Sequence, residues 1–169
     1  KTNEIYMDYA SATPVETKVV STMMYFLKKY FSNPSAIHDE GVKVKKEIEK
    51  SRKNISNILN IHSDEIIFTS GATESNNIGI FGVLENSINP HIVTTNIEHA
   101  SVLEVCKYLE KTKQAKVTYV PVEKNGIVDP RKIKKALKPN TVLVSVMYAN
   151  NEIGTVQPIQ EIAKEIRHV

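Results

Sequence analysis

Extended, apolar segments alternate with helix-patterned ones along most of this chain. The extended segments lie at residues 65–70, 91–95, 116–122 and 141–147. After each comes a stretch with apolar residues every three or four positions. Ile78, Phe81 and Leu84 mark the first such stretch, and Val102, Leu103, Cys106 and Leu109 the second. Asp129-Pro130 opens the third, with proline suited to a first helical turn, and Ile159, Ile162, Ala163 and Ile166 mark the fourth. Parallel strands need crossovers of this kind, so the alternation predicts an α/β fold with a mostly parallel sheet and flanking helices. Upstream, the spacing predicts helices over 14–30 and 38–59, separated by a turn at Asn33-Pro34.

Ligands of an open α/β sheet sit beyond the carboxyl ends of its strands. The first strand end carries Ser70-Gly71-Ala72-Thr73. Small residues at a helix start let backbone N–H groups approach an anion, and the Thr73 hydroxyl adds a donor. The same residues also suit an ordinary helix cap. The second strand end carries Glu98-His99. His99 could stack on a flat ring or move a proton, or it could simply be a surface histidine. The fourth carries Asn150-Asn151-Glu152, whose amides could bind a hydroxyl or carboxylate or could hold the turn. Their joint placement favours one site for an anionic ligand bearing a polar ring or carboxylate.

Composition excludes several classes. The chain has 169 residues, 41% of them hydrophobic, with no apolar run near the ~20 residues of a membrane helix. Nothing in it resembles a signal peptide. Cys106 is the one cysteine, so neither an internal disulfide nor a cysteine-rich metal site is expected, and a reducing, cytoplasmic setting fits. The net charge of +3 is carried by lysine clusters interrupted by Glu47 and Glu49, without interleaved aromatics. That argues against nucleic acid as a partner. The chain begins at Lys1 and stops at Val169 inside a helical pattern, so a piece of a longer protein is expected.

A set of motifs resembles the N-terminal part of the cysteine desulfurases, a class V family of the pyridoxal 5′-phosphate-dependent, aminotransferase-like fold. They are Tyr6-Met7-Asp8-Tyr9-Ala10-Ser11-Ala12-Thr13-Pro14-Val15; Asn33-Pro34-Ser35 with His38 and Gly41; Phe68-Thr69-Ser70-Gly71-Ala72-Thr73-Glu74-Ser75-Asn76-Asn77; Glu98-His99; and Asn150-Asn151-Glu152-Ile153-Gly154. The resemblance implies an extended segment at 1–13 and an incomplete cofactor-binding large domain of fold type I over 14–169. It implies that Ala72 and Thr73 hold the cofactor phosphate. It further implies that His99 stacks on the pyridine ring and takes part in catalysis, and that Asn151 faces the ring hydroxyl and the substrate carboxylate. Asn150 is expected to stay off the ligand. No metal is implied.

The activity so implied converts L-cysteine to L-alanine and an enzyme persulfide, for delivery to an acceptor such as an iron–sulfur scaffold protein. A homodimer is implied for the full-length protein. The family's Schiff-base lysine motif, Ser-x-His-Lys, does not occur in this chain. The aspartate for the pyridine nitrogen and the persulfide-forming cysteine are expected beyond Val169, and Cys106 is expected to be a core residue. Residues 1–169 alone are therefore expected to be inactive. A selenocysteine lyase, another class V enzyme, or one non-catalytic half of a split protein are the alternatives.

Overall fold

The computed structural model describes residues 4–167. The chain forms two units, Lys1–Phe68 and Thr69–Val169.

Among its described residues the first unit holds two α-helices and a short 3₁₀ turn, Ser63–Glu65. Helix α1, Thr17–Lys29, starts three residues later than its apolar spacing predicts. Glu16 is extended and its carboxylate accepts the N–H groups of Lys18 and Val19, so it caps the helix from outside. Helix α2, Asp39–Leu59, is capped by His38, whose Nδ1 accepts the Gly41 N–H at 3.3 Å, and it ends at Asn60 in the left-handed region. The Asn33-Pro34-Ser35 motif is a turn: the Asn33 side chain accepts the Ser35 N–H, and its carbonyl accepts from Ala36. Gly41 packs against that turn so closely that a β-carbon would lie 2.6 Å from the Ala36 carbonyl oxygen. Among the described residues of this unit only Gly41 and Ser56 are buried, and the apolar face of α1, including Val19, Met23 and Leu27, is exposed. Residues 65–70, expected as the first strand, are not in a strand. A strand needs a laterally bonded neighbour, and the described residues offer it none.

The second unit is a three-layer α/β/α sandwich. Helix α3 spans Ala72–Leu84, strand β1 His91–Thr95 and helix α4 Ala100–Lys111. Strand β2 spans Lys116–Val120, helix α5 Pro130–Ala136, strand β3 Thr141–Ser145 and helix α6 Ile159–Ile166. The sheet order is β2-β1-β3, and both pairings are parallel. Side chains alternate across β1, so consecutive residues feed two different cores. Ile92 packs with Ile80, Val102, Val105, Cys106 and Leu109 under α3 and α4. Val93 packs with Val120, Val128, Ile133 and Ile162 under α5 and α6.

β2 and β3 each stop two residues short of the expected end, because side chains capture the next backbone groups. Val122 N–H donates to Asn96 Oδ1, and Met147 N–H donates to Glu98 Oε1. At the opposite end of the sheet, buried His91 bridges the hydroxyls of Thr141 and Thr118, at 2.7 and 2.8 Å. No described helix is long and apolar enough to cross a membrane.

Candidate functional site

The start of α3 has no side-chain cap. Gly71 occupies the cap position with no hydroxyl or carboxylate to offer, and a β-carbon there would meet nothing within 4 Å. The first N–H to find a helical partner is that of Ser75, bonded to the Gly71 carbonyl. The N–H groups of Ala72 and Thr73 therefore point outward with the helix dipole behind them. Helices α4 and α5 are by contrast capped by His99 and Asp129. Glu74, the acid of this first turn, folds back: its carboxylate accepts the Ser70 N–H and hydroxyl at 2.6 and 2.7 Å, which holds it below the usual carboxylate range. Its charge is thus engaged by Ser70, leaving the Ala72 and Thr73 donors for an external anion. This donor set fits a phosphate ester.

His99 is the N-cap of α4. Its Nδ1 accepts the Ser101 N–H at 3.1 Å and lies 2.8 Å from the Ser101 hydroxyl. That hydroxyl, buried between the helices, takes a hydrogen bond from the Asn76 side-chain amide at 2.7 Å. Asn76 stands three residues after Thr73 on α3, so the two share a helix face. The strip from Thr73 through Asn76 and Ser101 to His99 is therefore continuous.

Glu98 continues it on the other side. This buried carboxylate accepts the Thr95 hydroxyl at 2.7 Å and the Met147 N–H at 2.9 Å. Burial pushes its pKa up, against the opposing pull of those two bonds. Asn150 adds a second tie, donating to the Ile97 carbonyl at 2.9 Å. Its own Oδ1 accepts the N–H groups of Glu152 and Ile153. Asn150 is thus consumed by structure. Asn151 is exposed at the tip of the hairpin closed by the Ala149–Val156 bridge, with Gly154 in the left-handed region at φ 70°. Buried Gln157 braces this hairpin by bonding the Gly126 carbonyl and the Val128 N–H.

Ala72 and Thr73 open α3, His99 follows β1 and Asn151 follows β3; all four are exposed, and hydrogen bonds from Asn76, Glu98 and Asn150 tie together the segments that carry them. Spacing alone does not point to the supporting residues Asn76, Ser101, Glu98 and Gln157. A serine two positions after a helix-capping histidine, and an acid immediately before it, were the available signals. Cys106 is fully buried in the core on the inner side of α4, its thiol pushed up to about 11 by burial.

The family described as Aminotransferase class-V matches residues 5–169. Cysteine desulfurase IscS of Dictyoglomus turgidum is 49% identical over 163 residues, covering 95% of this chain and 41% of that protein. The mitosomal cysteine desulfurase of Trachipleistophora hominis is 45% identical, covering 95% of this chain and 37% of that protein. Among solved structures, one described as "SspA in complex with cysteine" has a TM-score of 0.84 and 39% identity, over 95% of this chain and 46% of that one. A "NIFS-like protein" has a TM-score of 0.89 and 37% identity, over 97% of this chain and 45% of that one. This chain thus spans about two-fifths of the length of the curated relatives it matches.

Proposed function

Because this chain belongs to the aminotransferase class V family, we propose that the protein acts as a pyridoxal 5′-phosphate-dependent cysteine desulfurase. The observation that carries the proposal is the uncapped start of α3 on a helix whose Asn76 is hydrogen-bonded through Ser101 to His99. When bound, pyridoxal 5′-phosphate supplies an electron sink for the substrate's carbon framework. The Ala72 and Thr73 N–H groups, with the Thr73 hydroxyl, hold its phosphate. His99 would stack on its ring and hold or move a proton beside it. The Asn151 amide orients the ring hydroxyl and the substrate carboxylate. Glu98 and Asn150 fix the loops that carry these groups.

L-Cysteine is the substrate in this reading, supported by the cysteine in the description of one solved relative. The products are L-alanine and a persulfide on an enzyme cysteine. That cysteine is not Cys106, whose buried, protonated thiol is a poor nucleophile. In this reading the accepting cysteine and the cofactor-bonded lysine lie outside residues 1–169, which span 41% of one curated relative. Residues 1–169 alone are accordingly inactive. The proposal extends to a cytoplasmic homodimer that passes its sulfur to an acceptor such as an iron–sulfur scaffold protein.

The test uses the full-length protein with pyridoxal 5′-phosphate and L-cysteine, following alanine by chromatography and the persulfide by mass spectrometry. Alanine and persulfide should appear together, and Cys106→Ala should turn over like wild type. Consumption of L-selenocysteine with L-cysteine untouched would overturn the reading in favour of a lyase.

A further inference from the structure

We infer that Ser101 and Asn76 are positioning residues that fix the tautomer of His99, keeping its proton on Nε2. The direction of each hydrogen bond is forced. An asparagine Nδ2 can only donate, so the Ser101 oxygen accepts from Asn76 at 2.7 Å. The serine proton is then available to His99 Nδ1, 2.8 Å away. The Ser101 backbone N–H donates to the same nitrogen at 3.1 Å. Two donors converge on Nδ1, which must present a lone pair to both. The neutral ring therefore carries its hydrogen on Nε2, at the edge away from Ser101.

Helix geometry reinforces this. An N-cap side chain has to accept, which Ser, Thr, Asp and Asn do through oxygen. A histidine in that place caps α4 only through an unprotonated nitrogen. The cap and the relay make the same demand, and the relay runs from α3, the helix whose first turn is assigned to the phosphate. The inference rests on the proposed function for its catalytic meaning: His99 meets the cofactor as a donor at Nε2. Asn76 and Ser101 touch no ligand and act through His99.

The experiment records the ¹⁵N ring-nitrogen shifts of His99 in the full-length protein, with and without cofactor. It is run at about pH 8. Wild type should show an acceptor-type Nδ1 and a protonated Nε2. Asn76→Asp reverses the relay, because a carboxylate only accepts and draws the serine proton to itself. Nδ1 then loses a donor and faces an acceptor, and the Nε2–H to Nδ1–H ratio should fall about three- to tenfold. Ser101→Ala should shift it in the same direction by less, since the backbone donor remains. The kcat of both variants should fall by about tenfold or more while the KM for cysteine changes little.

A protonated Nδ1 in wild type, or ring shifts unchanged in both variants, would overturn the inference. These spectra are read in the apoprotein too. Failure to bind cofactor or release alanine would sink the proposed function and leave the tautomer assignment standing.

Discussion

The Glu98 carboxylate, at the end of β1, accepts the Met147 backbone N–H, just past β3, at 2.9 Å. A single buried acid thereby links two neighbouring strand ends and sets the loop from which His99 projects. Burial raises its pKa, so the folded state binds its proton more readily than the unfolded chain does. A raised carboxyl pKa contributes stability that is present below the unfolded value of about 4.3 and is lost as pH rises through the folded value. At neutral pH Glu98 therefore carries a cost of burying charge. Glu98→Gln keeps an acceptor oxygen without that charge, and equilibrium unfolding at pH 7 should show it at least as stable as wild type. Glu98→Ala strands the Met147 N–H and Thr95 hydroxyl and should cost about 2–4 kcal/mol.

His91 has the opposite dependence. Burial, with Lys138 and Lys116 nearby, lowers its pKa, and both ring nitrogens are bonded to threonine hydroxyls. A depressed folded pKa gives stability that is present above the unfolded value of about 6.5 and is lost as pH falls below it. Melting temperatures recorded between pH 7.5 and 5 should therefore drop for wild type. The drop should be shallower in His91→Gln, whose side chain does not titrate.

Gly41 is required by space. Alanine there would set its β-carbon 2.6 Å from the Ala36 carbonyl oxygen and 2.7 Å from that of Asn33. Both neighbours are backbone, so the turn itself must move. Gly41→Ala should destabilise by about 1–3 kcal/mol in denaturant titration.

Cys106 should be inert. With its thiol at about 11, thiolate at neutral pH is about 300-fold scarcer than for a free cysteine at 8.5. Alkylation of Cys106 in the native protein should be slower than in denatured protein by at least that factor, as read by peptide mass spectrometry. Labelling at equal rates would place the thiol outside the core.

The sequence pattern located β1 at both ends, since four of the five residues of His91–Thr95 are β-branched and the run is fully buried in the centre of the sheet. It overran β3, because the release of Met147 depends on Glu98, 49 positions away. It expected a strand at 65–70 because Ile66, Ile67 and Phe68 make an apolar run, but apolarity provides no partner strand. Part of the layout was legible: His99 follows β1 and Asn151 follows β3, whereas Thr73 follows residues that join no strand. Their connection was not. Asn76 and Ser101 are 25 residues apart, and only the packing of α3 on α4 brings the amide to the hydroxyl. The Asn33–Gly41 motif, prominent in the sequence, proved to be a close-packed turn.

The central claim is that the start of α3 holds the cofactor phosphate. The most direct test is the equilibrium affinity of the full-length protein for pyridoxal 5′-phosphate, compared between wild type and Thr73→Val. Valine preserves the shape and removes only the hydroxyl. Loss of one hydrogen bond to a charged phosphate should weaken binding about ten- to a hundredfold. An affinity unchanged by that substitution would contradict the account.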